Sequence, residues 1–529
     1  MKLNYRRTIF VGFAFFLICA FWQAYDNIIA LTLTNKFGMP QAYSGIIMAF
    51  DNILALFMLP LFGALSDKCH SKLGKRTPFI IIGTVIAAVA FLGLSFVDNM
   101  QLTNIGDVAQ IDSPASLETL YDYDYGNTVL KTTDGTEYRV TDFDRDTFLS
   151  IRTDTKWDTE GNDVTANRSF EGKTISPYSE YVSPARQAYA WKATLNNPNT
   201  LIFFVGLLLV VLIAMSVFRS PAVALMPDVT PKPLCSKGNA VINLMGSAGG
   251  VIVLVLGMII GTGNAKNGLM SYVVFFGIIA ALMIVSLVVF LFTVNENRFV
   301  KEMEEESKRY GIEESTESSN AGDRKLTGSE MISLLLILAS VALWYMGYNA
   351  VTSKYSVYAT NILQKDYNMT LIIAQAAAII SYLPVGMISS RFGRKKCILA
   401  GVVILGTAFG SAAFVNAATP TILMNLLFAL AGIGWATINV NSFPMVVELA
   451  KGGNVGKYTG YYYTASMAAQ VLTPYLSGVL IDRFGMRTTL FPYATVFVAI
   501  ALITMLFVKH GDSVAPKKAS VLENFDIED

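Results

Sequence analysis

Histidine, cysteine and charged residues are scarce in this sequence. Of its 529 residues only two are histidine and four are cysteine, and 15% are charged, against roughly 25% in soluble domains. The scattered cysteines and the two histidines match no spacing typical of zinc sites, haem attachment or a disulfide framework. No set of nucleophile, base and orienting residue appears either. The sequence therefore predicts no enzyme, no bound metal and no organic cofactor.

An excess of charge of one sign is also missing. The 40 Lys and Arg residues are balanced by 39 Asp and Glu residues, which leaves a net charge of +1. Because nucleic-acid binding needs a basic surface, no nucleic-acid partner is expected.

Long hydrophobic stretches are what the sequence has. Hydrophobic residues make up 53% of the chain, and apolar stretches of about 20 residues, enough to cross roughly 30 Å of hydrocarbon, recur along it. We predict an all-α protein in a lipid bilayer with twelve transmembrane helices. The predicted spans are 8–34, 43–66, 78–98, 199–226, 239–263, 268–294, 330–353, 369–390, 397–417, 420–447, 459–481 and 488–508.

Basic residues predict the orientation. Lys68, Lys75, Arg391 and Arg394 fall in short loops on the side of the N-terminus, which the positive-inside rule assigns to the cytoplasm. Both termini are then cytoplasmic, and the cell membrane is the expected location. The predicted units are a six-helix half at 1–98 and 199–294, a cytoplasmic linker at 295–329, a second half at 330–508 and a cytoplasmic tail at 509–529.

Residues 99–198 form a polar insertion after span 3, on the extracytoplasmic side. It has 16 acidic and 9 basic residues, a net charge of −7. Asp134-Gly135 between two strand-like runs predicts a β-hairpin. We expect a small, β-rich subdomain that folds outside the helical core and can be deleted without loss of folding. A loop with no function of its own is an equal alternative, and a module for an external partner is a further one. Asn167 begins a glycosylation sequon.

A weak internal repeat relates the two halves. Trp22 and Asp26 of span 1 stand opposite Trp344 and Tyr348 of span 7, at an offset of 322. Repeated halves of this kind are typical of carriers whose binding site lies at the interface between the halves.

The loop after span 2 has a more specific pattern. Gly63-Ala-Leu-Ser-Asp67 followed by Gly74-Lys-Arg-Thr-Pro-Phe-Ile80 resembles the loop 2–3 signature of the major facilitator superfamily in its sucrose and glycoside carrier branch. Pro221 to Asp228 and Pro444 to Glu448 resemble the same family, so the resemblance extends over nearly all of the chain outside 99–198. It implies a twelve-helix major facilitator fold and a proton-coupled symporter for a disaccharide or glycoside.

Two departures from related carriers limit what the resemblance transfers. Where plant sucrose carriers have an aspartate in span 4, this chain has Leu212. The paired carboxylates of sodium-coupled melibiose carriers fall on Ala55 and Leu59, which disfavours sodium and leaves H⁺ as the expected coupling ion.

Charged residues inside the spans are candidate functional groups, because each costs roughly 2.5–3.5 kcal/mol at the bilayer centre. Asp26 and Asp51 lie at matched depths, roughly 12 Å from one face, and are predicted to share the coupling proton. Arg219 of span 4 is expected to lie too near the opposite face to reach them, and to pair with an inner acid or carbonyl. A snorkelling Arg219 and a packing role for either aspartate are the alternatives.

Sugars bind to aromatic faces and to neutral hydrogen-bonding groups. Three intramembrane tryptophans each have a polar or phenolic residue one helical turn later. The predicted substrate-binding residues are Trp22, Gln23, Asn27, Trp344, Tyr348, Asn349, Gln375, Trp435 and Asn439. Each of them alone is more often a helix-packing residue.

A latch is predicted at the cytoplasmic face. Asp67 with Lys75 and Arg76 could bridge helices and hold one access state. Asp228 and Glu448, at matched span ends, are the other gate acids, and Arg219 completes this predicted gating set.

The favoured hypothesis is a proton-coupled importer of a small-molecule sugar that works by alternating access. The alternatives are an efflux antiporter for amphipathic compounds and a transporter-like membrane sensor that uses residues 99–198.

Overall fold

Twelve long helices dominate the computed structural model, which describes residues 4–153, 162–163, 168–169, 176–231, 234–309, 326–449 and 455–511. They are α1 (Tyr5–Lys36), α2 (Gln41–Asp67), α3 (Thr77–Ile105), α4 (Asn199–Asp228), α5 (Cys235–Ile260), α6 (Val273–Thr293), α7 (Gly328–Ile362), α8 (Tyr367–Phe392), α9 (Arg394–Ala412), α10 (Thr421–Glu448), α11 (Val455–Phe484) and α12 (Met486–Leu506). Within the described ranges, eleven are long and apolar enough to cross a membrane, and the apolar part of α8, Tyr367–Tyr382, is shorter. The predicted all-α membrane architecture is confirmed.

Some expectations lie outside the described residues. They are Asn167, residues 310–325 of the linker and residues 512–529 of the tail. The linker begins as a helix, Glu296–Arg309.

The helices pack as two sets of six. In the first set α1 lies against α5, and α3 lies against α4 and α6; in the second, α7 lies against α12, and α10 lies against α8 and α9. Large apolar side chains also point outward: Phe57, Ile259 and Phe292 are 68%, 76% and 88% exposed. Side chains of this kind suit a lipid solvent, in which apolar exposure is favourable.

The ends of α1 and α7 share an uncommon local structure. Each finishes in a five-residue π turn, Thr32–Lys36 in α1 and Tyr358–Ile362 in α7. Asn35 and Asn361 are the fourth residues of these turns, and their side-chain amides bond to each other at 2.6 and 3.2 Å. This contact joins the two halves at the end of the bundle that carries residues 99–198. We call this end the insertion face, and the opposite end, with both termini, the terminal face.

The insertion has a hydrophobic core of its own. Leu117, Leu130, Phe148 and Val182 are fully or almost fully buried within it. The predicted hairpin is present, with Leu130–Lys131 paired antiparallel to Glu137–Tyr138. The expectation of a β-rich subdomain is wrong for the described residues, because they contain only two-residue strands beside several helices. Those helices include Pro114–Asp122, Arg145–Ser150 and Ser183–Asn196.

The hairpin also docks on the second half. The turn between α11 and α12 consists of Gly485, and its backbone comes so close to the hairpin that a Cβ on Gly485 would lie 2.4 Å from the Thr133 carbonyl oxygen. A Cβ on Gly135 would lie 2.6 Å from the Phe484 oxygen. The Arg487 N–H donates to the Thr133 oxygen at 2.9 Å.

The rest of the insertion rests on the first half. Gln187 Nε2 donates to the Met39 oxygen at 3.2 Å, and the Thr194 hydroxyl donates to the Phe37 oxygen at 2.9 Å. The insertion thus binds both halves at once. Its own hydrophobic core fits the expected fold outside the helical core, and its deletion without loss of folding stays a prediction, although backbone groups of the bundle bond to it.

Gly135→Ala should undock the hairpin. The substitution adds a Cβ where the Phe484 carbonyl lies, and breaking the Arg487 bond removes about 0.5–1.5 kcal/mol. We expect the Arg487 amide to exchange hydrogen for deuterium up to about tenfold faster, as measured by mass spectrometry. Gly126→Ala is the matched control, since Gly126 also has a positive φ, of 57°, but meets only the Lys192 side chain. Equal Arg487 exchange in both variants would contradict the docking.

Candidate functional site

A polar cavity of about 170 Å³ lies between the two halves, midway along the helices. Its lining comes from α1, α2 and α4 on one side and from α7 and α11 on the other. The residues that line it are Trp22, Asp26, Met48, Asp51, Asn52, Arg219, Asn349, Thr352, Ser353, Gln470 and Pro474. A site shared by the two halves is the layout that the internal repeat predicts.

Asp26 occupies a break in the regular winding of α1. It belongs to a π turn, Tyr25–Ile29, inside the helix, and such turns are frequent at functional sites. Its side chain is exposed and lines the cavity. Asp51 of α2 lines the same cavity and accepts a hydrogen bond from Asn52 Nδ2 at 2.8 Å. Both carboxylates thus line one cavity, and the sharing of a proton between them stays a prediction.

Arg219 does not lie where the sequence predicted. Its guanidinium stacks over Trp22 at 5.5 Å and interacts electrostatically with both Asp26 and Asp51. Depth counted along the α4 backbone ignores the length of the arginine side chain, which extends to the level of Trp22, one turn before Asp26. The expected pairing with an inner acid or carbonyl is therefore corrected. The cavity contains two carboxylates and one guanidinium.

One face of α7 supplies neutral hydrogen-bonding groups. Asn349, Thr352 and Ser353 follow the i, i+3, i+4 spacing of a single helix face, and all three line the cavity. Asn349 Nδ2 is buried without a hydrogen-bond partner. Trp344 lies on another face of α7 and is fully buried. Gly347, three residues later, packs against Ala494 of α12, so the prediction that Trp344 lines the binding site is not supported.

Two further predicted pairs lie near the centre of the bundle. The rings of Tyr348 and Trp435 are stacked in parallel, with centroids 3.6 Å apart, and Tyr348 is close enough to Asp26 to interact with it electrostatically. Gln375 Nε2 donates to Gln23 Oε1 at 2.5 Å across the boundary between the halves.

Asn27 and Asn439 are not among the cavity residues. Asn27 is buried, and its amide donates to the Gln23 carbonyl of its own helix at 2.8 Å. Asn439 is half-buried on α10. A four-residue spacing from a tryptophan places a residue on the same helix face, but it does not tell which face lines the cavity.

A seam of polar contacts closes the cavity toward the insertion face. Asp482 of α11 caps the start of α2 by accepting hydrogen bonds from the Gln41 and Ala42 N–H groups, both at 2.8 Å. The buried Lys354 of α7 donates to the Gln41 oxygen at 2.8 Å and to the Ser44 hydroxyl at 3.0 Å. We call Asp482, Lys354 and the first turn of α2 the seam.

The sequence reasoning missed the seam. Lys354 and Asp482 each fall one residue beyond the predicted ends of spans 7 and 11, where charge is ordinary. Lys36, two residues beyond the predicted end of span 1, was missed as well; its ammonium is fully buried and bonds to Asp98 at 2.6 and 2.7 Å. The sequence did contain one sign of these contacts. A charged residue just beyond one span end, with an opposite charge just beyond the end of a neighbouring span, could have indicated an ion pair.

The predicted latch residues meet at the terminal face. Arg76 pairs with Asp67, and its Nε donates to Asp228 at 2.8 Å. Lys75 Nζ is 3.2 Å from Asp228 as well. Glu296, which was not predicted, accepts from the backbone N–H groups of residues 75–77 at 2.8–3.1 Å.

The second half repeats this arrangement. Arg394, at the start of α9, pairs with Glu448 at the end of α10. Arg76 and Asp228 occupy the corresponding places at the start of α3 and the end of α4. Both ion pairs lie within one half, so they brace each half rather than bridge the two.

Comparisons with known proteins agree with this architecture. Residues 10–108 match the family model described as MFS/sugar transport protein, and residues 364–524 match the model of the Major Facilitator Superfamily. The chain is thus similar to the major facilitator superfamily in two separate segments, one in each half. Its long apolar helices make it a multi-pass membrane protein, and the matched models describe transporters rather than enzymes.

Two curated relatives and one solved structure illustrate the similarity. A proton-associated sugar transporter A of Homo sapiens is 33% identical over 96 residues, which is 18% of this chain and 12% of the relative. Sucrose transport protein SUC4 of Arabidopsis thaliana is 37% identical over 58 residues, 11% of each chain. The alignments thus span only about an eighth of these relatives or less. The xylose transporter XylE of E. coli, in an inward open conformation, has 15% identity, a TM-score of 0.56 and 97% coverage of both chains, which supports the fold.

Asp482→Ala should loosen the seam, because two N–H groups at the start of α2 lose their acceptor. Loss of a helix cap costs about 0.5–2 kcal/mol, which corresponds to roughly a two- to thirtyfold shift toward a state open at the insertion face. We would measure the labelling rate of Ser353→Cys by an impermeant maleimide applied to that face, with the four native cysteines replaced by serine.

Asp144→Ala is the matched control for this experiment. Asp144 caps the short helix Arg145–Ser150 inside the insertion and joins no two halves. If the Asp482 and Asp144 variants are labelled at the same rate as the parent protein, the seam does not hold the cavity closed.

Proposed function

We propose that this transporter imports a sugar together with a proton by alternating access. The observation that best supports this function is one cavity between two repeated halves that combines titratable carboxylates with an aromatic face and neutral hydrogen-bonding groups. Trp22 offers the face, and Asn349, Ser353 and Gln470 offer amide and hydroxyl groups. These are the groups that recognise a polyol. The two relatives named above, a proton-associated sugar transporter and a sucrose transport protein, point the same way.

The charges of the cavity suggest how a proton would couple to movement. Two carboxylates and one guanidinium leave the cluster of Asp26, Asp51 and Arg219 with one net negative charge. A single proton makes the cluster neutral, and a neutral cluster is less costly to enclose in a low-dielectric interior. We infer that proton binding at Asp26 permits the occluded state through which the halves rock.

The conformational cycle follows from the two kinds of polar contact. Opening toward the insertion face requires the seam and the Asn35–Asn361 bond to break, whereas the ion pairs of Arg76 and Arg394 lie inside single halves and can persist. This is the behaviour of two rigid bodies that rock about a central site. A cavity of about 170 Å³ is below the roughly 300–1,000 Å³ of small-molecule sites. We infer that it widens when a disaccharide or glycoside binds.

The orientation is part of the proposal. The basic loops around Lys68, Lys75 and Arg394 support a cytoplasmic terminal face, so both termini are cytoplasmic and the insertion face is outside the cell. An efflux carrier for amphipathic compounds is disfavoured by the lining of the cavity, in which polar and charged side chains predominate.

Asp26→Asn should abolish uphill sugar accumulation while sugar exchange across the membrane persists, because an amide keeps the shape of the side chain but cannot bind a proton. The measurement is uptake of radiolabelled sucrose into proteoliposomes, with and without an imposed proton gradient. Asp122→Asn, an exposed carboxylate of the insertion, is the control and should accumulate sugar normally. Proton-driven accumulation by the Asp26 variant would exclude Asp26 as the coupling residue.

Arg76→Gln should reduce the maximal transport rate several-fold with little change in sugar affinity, since the residue braces α3 against α2 and α4 and lies far from the cavity. Initial uptake rates at varied sucrose concentration separate the two effects. Arg145→Gln removes an exposed arginine that pairs with Asp122 and should leave both parameters unchanged. A loss of affinity at an unchanged maximal rate would contradict the bracing role.

A further inference from the structure

A second, larger cavity lies at the insertion face, apart from the central one. Its volume is about 410 Å³, within the roughly 300–1,000 Å³ of small-molecule sites. The insertion forms its roof. The ends of α1, α7 and α11 and the starts of α2 and α12 form its floor. The transport proposed for the central cavity does not involve this second cavity.

The lining contains two buried polar groups that have no hydrogen-bond partner among the residues that the structure describes. Gln41 is 5% exposed and Ser179 is 1% exposed, and both line the cavity. Gln41 Nε2 donates to the Thr34 hydroxyl at 3.0 Å, but its Oε1 atom accepts no hydrogen bond. The Ser179 hydroxyl also lacks a partner. Buried polar groups are normally paired, so these two atoms indicate a ligand that donates hydrogen bonds.

The other lining groups narrow the chemistry of that ligand. Trp191 of the insertion offers an aromatic surface, and Gln187 and Asn361 add amides at the border of the cavity. A cation is disfavoured, because Lys131 lies in the lining with its ammonium on the carbonyls of Asp482 and Arg483. The Asp482 carboxylate is already occupied by two backbone N–H groups. A saccharide fits this lining, because it is neutral, donates many hydrogen bonds and has an apolar ring face.

We propose that this cavity is a second saccharide site, roofed by the insertion and separate from the central transport site. Its walls come from both halves and include Gln41 and Asp482 of the seam. A saccharide held there therefore stabilises the state that is closed at the insertion face. The choice of ligand class rests on the proposed function, but the site itself rests on the cavity and its unpartnered groups.

Equilibrium binding of radiolabelled sucrose to the purified full-length protein in detergent tests the site. We expect two bound sucrose molecules per chain, one in each cavity. Ala188→Phe places a ring in the second cavity, which Ala188 lines, and should remove one of the two. Ser179→Ala removes one unpartnered hydroxyl and should weaken one site about tenfold while the other is unchanged. Ala115→Phe, an exposed alanine of the insertion outside this cavity, is the matched control and should keep both.

The possible outcomes separate this inference from the proposed function. If proteoliposomes take up sucrose but Ala188→Phe binds as much of it as Ala115→Phe, the second site is wrong and the transport proposal stands. If Ala188→Phe removes bound sucrose while the parent protein takes up none, the second site stands and the transport proposal is wrong. Binding of choline but of neither sucrose nor xylose would overturn the assignment to saccharides.

Discussion

The start of α2 depends on a carboxylate from the other half of the molecule. The first N–H groups of any helix lack partners in their own helix, and here Asp482 of α11 accepts two of them. The buried Lys354 holds the Gln41 carbonyl beside them. These bonds exist only while the halves meet at the insertion face. The enclosure of the central cavity, the position of the insertion and the second cavity all depend on this contact.

The distribution of polar contacts gives the bundle two unlike ends. At the terminal face the ion pairs of Arg76 with Asp228 and of Arg394 with Glu448 lie inside single halves. At the insertion face Lys354, Asp482 and Asn361 reach across to the first half. Contacts within a half make it rigid, whereas contacts between halves favour one conformation over another. The insertion contacts both halves at the insertion face, where the contacts between halves lie. It is therefore well placed to influence the balance between conformations.

The sequence predicted those residues whose placement follows from the free-energy cost of burying them in a membrane. Carboxylates in mid-membrane are expensive, and that alone identified Asp26 and Asp51, which share one cavity. The apolar stretches predicted the twelve helices for the same kind of reason. The Asp134-Gly135 pair predicted the hairpin, because few sequences fit so tight a turn.

The wrong predictions concern the direction in which a side chain points and the distance it spans, which a linear sequence does not encode. Trp344 resembles Trp22 in the repeat, but α7 presents Asn349, Thr352 and Ser353 to the cavity and turns Trp344 into the core. Arg219 was assigned by the depth of its backbone, although its side chain spans the remaining distance to the carboxylates. The sequence also does not show where the insertion attaches to the bundle. Its hydrogen bonds to Arg487 and Met39 depend on backbone positions that only the tertiary structure brings together.

The bond between Asn35 and Asn361 connects like residues at like places in two helix ends, each the fourth of a terminal π turn, although their offset of 326 differs from the 322 that relates Trp22 to Trp344. A residue that touches its own counterpart lies on the axis of internal symmetry, as in an isologous dimer interface. The seam has no such symmetry, because a carboxylate and an ammonium of the second half both bind the start of α2 in the first half. One contact between the halves is thus of like with like, and the other is of unlike groups.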